Sequence, residues 1–167
     1  MSTLASVVIR DLFANRPAAS IAGRLFFASD TGKQYRDNGS SWDEVTPGSG
    51  TSVIGIVIDG GGSAITTGVK GYISIPFAAT ITGWDVVADV SGSISIEVDK
   101  HAAGVPNTTT DKISASAPIA LSSAQLAQGG SISGWTTSIS ANDVMGFNVA
   151  SASTVTRVTA TIRVTKT

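Results

Sequence analysis

The chain has 167 residues, a formal net charge of −1 and no cysteine; 42% of it is hydrophobic and only 14% is charged. The charged share is well below the roughly 25% typical of soluble domains, and 23 Ser and 19 Thr fill the gap. Disulfides and cysteine metal sites are excluded, the scattered Lys and Arg form no nucleic-acid footprint, and no apolar run approaches the ~18 residues of a membrane span.

The N-terminal stretch 1–10 lacks the basic start of a secretory signal, so none is expected. Residues 4–13 are short and apolar, and their periodicity fits helix or strand equally. Asn15, Arg16 and Pro17 then interrupt regular structure. Three short strands are predicted at 23–28, 33–36 and 41–45. Asp30-Thr31-Gly32 is the turn between the first two, and Asn38-Gly39 signals a hairpin because both residues tolerate positive φ. Such a small meander is marginal alone. Its large residues Leu25, Phe26, Phe27, Tyr35 and Trp42 are therefore expected to pack on something else, as docking anchors.

A Pro/Gly/Ser run at 46–52 reads as a linker. Charge changes across it: 10 of the first 50 residues are charged, against 13 of the remaining 117. We therefore place an attachment segment at 1–50 and a second domain at 51–167.

Residues 51–167 read as about eight strands. The run 53–58 is continuously apolar and is expected inside a sheet, covered on both faces. A strand at 70–77 closes on Pro76. In 81–90, Trp84, Val86 and Ala88 share one side and Asp85, Val87 and Asp89 the other. In 93–99, Ile94, Ile96 and Val98 point inward; Ser93, Ser95, Glu97 and Asp99 point outward. A long loop follows at 101–111. Residues 121–128 are the one candidate helical turn. Strands are expected at 132–139 and 144–149. The final stretch alternates most clearly, with Val158, Ala160, Ile162 and Val164 dry and Arg157, Thr159, Thr161, Arg163 and Thr165 wet. Thr82-Gly83-Trp84 and Ser133-Gly134-Trp135 read as equivalent turns, each delivering a Trp to the core of one sheet. With no βαβ rhythm, the pattern predicts an all-β fold: an antiparallel jelly-roll β-sandwich carrying a small N-terminal β-meander attachment segment.

Few side chains here suit chemistry. His101 is the single histidine. It stands near Asp99, but no Gly-x-Ser-x-Gly elbow accompanies it, so a solvated loop histidine is expected. The glycines of 59–63 are not followed by a helix, which argues for a wide strand connection over a phosphate loop. Asp85 with Asp89, and Asp30 with Asp37 and Asp43, lack the dense spacing of a calcium loop. Trp84, Trp135 and Tyr72 could form a sugar-stacking platform, although aromatics within alternating strands more often belong to the core. No catalytic residue, metal ligand or cofactor is expected, and the chain reads as a non-enzyme.

Asn15–Ala19 with the run 24–42, RLFFASDTGKQYRDNGSSW, resembles a short module frequent in virion proteins of tailed bacteriophages, often tail fibres. The stretches 57–71, 121–125, 133–139 and 147–149 are similar to a phage structural domain. The resemblance implies a homotrimer on the virion, assembled in the bacterial cytoplasm, with the major capsid protein or tail proteins as partners. A fibre needs a shaft, and the sequence has no heptads, collagen-like run or repeat. A capsid decoration (cement) protein docked by residues 1–50 is therefore the expected function. The rival expectation is a short tail-fibre or tail-tip protein that recognises host surface glycan through loops 101–111 and 59–68. Neither nucleic acid nor membrane is an expected partner.

Overall fold

A computed structural model describes residues 8–45, 50–114 and 117–167. The chain divides into two compact units, 1–48 and 49–167. The predicted linker at 46–49 and the first part of the 4–13 run lie outside the described residues.

The first unit is a four-stranded sheet in the order β1 (Val8–Asp11), β2 (Leu25–Ala28), β3 (Gln34–Asp37) and β4 (Trp42–Glu44). The meander β2–β3–β4 is antiparallel, and β1 joins β2 in parallel, pairing Ile9 with Phe26. Of the apolar run, Val8–Asp11 is strand, and Phe13 opens a 3-10 turn that ends at Asn15. The 30–32 turn closes with Gly32 at φ +69°. In the 38–41 loop only Gly39 takes positive φ. Asn38 instead accepts the N–H groups of Ser40 and Ser41 on Oδ1, an Asx-type turn.

The second unit contains β5 (Thr51–Asp59), β6 (Gly68–Ile75), β7 (Ala79–Ala102), β8 (Ile119–Ala127), β9 (Ser138–Ile139), β10 (Asp143–Ser153) and β11 (Arg157–Lys166). Its architecture follows from the 24-residue β7. One edge of β7 pairs with β11 along 79–88 and with β10 along 93–102. The other edge carries β8, whose 119–121 end lies along 94–96 and whose 126–127 end lies along 86–87. Both β7 and β8 therefore pass from one half of the curled sheet to the other. Leaving aside the two-residue β9 and counting their halves separately gives eight segments. One half runs β5–β11–β7–β8, which is first, eighth, third and sixth in chain order. The other runs β6–β10–β7–β8, which is second, seventh, fourth and fifth. Every pairing is antiparallel, and this order is that of a jelly roll.

The corner of β7 lies at 89–92. Gly92 is required there, because a Cβ would press on the Ser153 carbonyl and the Val155 side chain. Asp89 fixes the corner by accepting the Thr156 hydroxyl and the backbone N–H groups of Thr156 and Val90.

Between the halves sits a single core. Val158, Ala160, Ile162 and Val164 of β11 face Ile94, Ile96 and Val98 of β7 and Met145, Phe147 and Val149 of β10, all essentially without solvent contact. Each Val, Ile, Met or Phe side chain among them contributes about 1.5–3 kcal/mol when fully buried. This core explains how the unit stands without a disulfide.

Four expectations are corrected. Residues 53–58 are not covered on both faces: β5 is an edge strand, with Ile54 and Ile58 buried but Val53 and Val57 about 60% exposed. Residues 121–128 are strand rather than helical turn, because the open edge of β7 satisfies their backbone and a bulge at Ser123 (φ +49°) carries them round the corner. Of 132–139 only β9 is strand. Gly83 lies inside β7 rather than in a turn. Both tryptophans are nevertheless core residues. Trp84 donates its indole N–H to the Ser131 carbonyl, and Trp135 donates to that of Ala117.

Candidate functional site

The five predicted anchors divide by strand alternation. Phe26 on β2 is fully buried and Tyr35 on β3 nearly so. Their rings lie 6.4 Å apart, and Trp42 meets Phe26 edge-on at 5.9 Å. These three side chains form the core of the small unit itself. The irregular segment between β1 and β2 covers that face. Phe13 packs on Tyr35 at 5.5 Å, the Arg16 guanidinium lies over both rings, and Trp42 donates its indole N–H to the Pro17 carbonyl. The meander is therefore closed by its own chain.

Leu25 and Phe27 point to the opposite, open face and are half-buried. On β1, Val8 pairs with Leu25 and Arg10 with Phe27; on β3, Arg36 pairs with Leu25 and Gln34 with Phe27. Arg10, Phe27, Ala28, Ser29, Gly32 and Lys33 line a depression of about 330 Å³. Lys33 is drawn across its rim by Glu44 at 2.9 Å, and this partner raises the lysine pKa. The open face is thus an apolar strip, Val8–Leu25–Phe27, bordered by Arg10 and Arg36. It can hold an extended or flat apolar surface carrying acidic groups.

Asp37 ties the small unit together. It is fully buried and pairs with Arg24 at 2.5 Å. It also accepts the N–H groups of Ser20, Ile21 and Gly39. Burial pushes its carboxyl up, but Arg24 and these N–H groups outweigh that and hold it well below the usual carboxylate range.

In the jelly roll the other candidates are engaged structurally. His101 Nδ1 lies 3.0 Å from Asp111, which also accepts the Asn107 N–H and so braces the 101–111 loop. Asp85 accepts the Gly129 N–H and pairs with Arg163. Asp59 accepts the Gly61 N–H and pairs with Arg157, so the glycine-rich segment is a wide connection between β5 and β6. Asp43 is bonded by Asn38, and Asp30 by the N–H groups of Phe13 and Thr31. No group of three metal-ligating side chains occurs among the described residues. The sugar platform does not assemble from its three aromatics: Trp84 and Trp135 are buried, and only Tyr72, on β6, stands half exposed.

Comparison with protein-family models, curated proteins and solved structures finds no match.

Asp99 is the polar residue whose burial alternation does not reveal. It lies on the outer face with Ser95 and Glu97, yet is 1% exposed, and its Oδ1 meets no hydrogen-bond donor among the described residues. Gly146 stands opposite it on β10, and Lys112 bridges to it from the returning loop. Burial first, then the charges of Glu97 and Asp111, push its pKa to about 6 against the pull of Lys112. Lys112 itself is committed to Glu97 at 2.6 Å. The burial has no local sequence signal; it depends on the 103–112 loop folding back across the strand.

Proposed function

We propose that this chain is a non-enzymatic virion surface protein of a tailed bacteriophage, a homotrimeric capsid decoration protein whose N-terminal unit docks on the shell. The observation that carries this reading is the open face of that unit. Its own aromatics are closed beneath Phe13, Arg16 and Pro17, yet Val8, Leu25 and Phe27 remain partly uncovered beside Arg10 and Arg36. Repeated three times in a trimer, even weak docking of this strip would gain by avidity on a lattice. The jelly roll adds a closed body with side chains committed to structure. Phe26, Tyr35 and Trp42 leave the docking set, because they hold the module together.

The test is particle binding. Leu25→Ala with Phe27→Ala should release the protein from capsids while leaving both units folded. Normal coating by that double variant would overturn the docking assignment.

A second reading, a tail-tip protein that binds host surface glycan, is favoured by the braced 101–111 loop and by exposed Tyr72 on β6. Labelled protein on intact particles separates the two, since the first reading places label over the head and the second at the tail.

A further inference from the structure

Among the described residues, strand β5 ends the sheet order and pairs on one side only, with β11. Natural edge strands are usually guarded by Lys, Pro, bulges or shortness. The opposite edge, β6, carries Lys70, is followed by Pro76 and meets a bulge at Phe147/Asn148. In contrast, β5 is nine residues long, TSVIGIVID, with no Lys, Arg or Pro, and its β11 pairing runs without a register break.

We infer that β5 is a pairing edge for a second copy of this chain, joined antiparallel about a two-fold axis through Gly55. Only that register overlaps all nine residues. It sets Val53 against Val57 of the copy and Thr51 against Asp59 of the copy, while Ile54 and Ile56 meet on the core side. The interface is isologous, as two-fold contacts must be.

Three features of β5 fit this partner. First, Val53 and Val57, 62% and 60% exposed, lie on the same outer face, where each would cover the other. Second, Thr51, Ser52, Val53 and Arg163 line a recess of about 360 Å³ beside the edge; the Val57 side chain of the copy would stand next to it. Third, no unpaired charge opposes the contact: Val53–Val57 carries none, and the flanking Asp59 and Arg163 are engaged within the chain, by Arg157 and Asp85.

This pairing is separate from the three-fold association proposed above, and one experiment distinguishes their failures. The mass of the full chain is measured by light scattering across a concentration series, for the wild type and for Val57→Lys, an exposed substitution that guards the edge. The expected result is a halving of the mass, from six copies to three if the homotrimer holds and from two to one if it does not. An unchanged mass overturns the pairing whatever the state of the trimer. As a second arm, Val53→Cys with Val57→Cys is oxidised in this otherwise cysteine-free chain. Directly opposed residues lie about 4.5–5.5 Å apart at Cα, within disulfide reach, so the double variant should run as a covalent dimer and neither single variant should. Equal cross-linking by a single variant, or none by the double, also overturns it.

Discussion

Replacing Asp99 with Asn tests the account of the jelly roll's outer face most directly. The carboxyl is 1% exposed, with Oδ1 unsatisfied, and its pKa is raised from 3.8 to about 6. Because the folded value lies above the unfolded one, the unfolded chain releases the proton first. Stability from the protonated form is complete below about pH 4, declines as pH rises towards 6, and stays lost above that. Roughly two pKa units correspond to about 3 kcal/mol, and solvent screening reduces this to about 1–2 kcal/mol. Asp99→Asn keeps the shape and removes the charge. At pH 7.5 it should stabilise the jelly roll by that amount, raising Tm by about 3–8 °C; at pH 4 the gain should vanish. Thermal melts followed by circular dichroism at both pH values make the comparison. A variant less stable than wild type at pH 7.5, or an offset equal at both values, would refute the reasoning.

Phe26→Ala should cost about 3–5 kcal/mol and unfold the small unit selectively, whereas Phe27→Ala should leave its melt nearly unchanged; proteolysis of residues 8–45 followed by mass spectrometry reads both. Acid should open the same unit, because the lowered pKa of Asp37 supplies stability that is lost as pH falls below the ordinary carboxylate range; Asp37→Asn should abolish that acid step, visible in Trp42 fluorescence. Gly130→Ala should destabilise the jelly roll by about 1–3 kcal/mol in thermal melts, since its Cβ would enter the Trp84 indole.

Much of the fold was legible because burial follows alternation wherever a strand has one wet face. The sides assigned to 84–89 and 157–165 are those observed. Legibility failed where a neighbour distant in sequence decided the outcome. Val53 and Val57 read as buried from their hydrophobicity, yet nothing local reveals that β5 has a partner on only one side. The Ser, Ala, Leu and Gln of 121–128 suit a helix, but the free edge of β7 converts them to strand. Asp99 obeys its alternation, and the returning loop then covers the face to which it points. In the small unit the same period of two, applied to Leu25-Phe26-Phe27, already separates one core residue from two facing outward. Grouping all three as anchors overlooked it.

The crossing of β7 between the two halves has a consequence for synthesis. Its pairing partners β8, β9, β10 and β11 all emerge from the ribosome after it, and among the described residues β5 pairs in the sheet only with β11, joining Thr51 to Thr165. Long-range pairing of this kind folds in milliseconds to seconds. The described strand pairing and aromatic core of the small unit lie within residues 8–45. At about 5–20 residues per second of translation, its aromatic core can close many seconds before β5 meets its neighbour. Through that interval the nascent strand carries an unpaired valine-isoleucine segment.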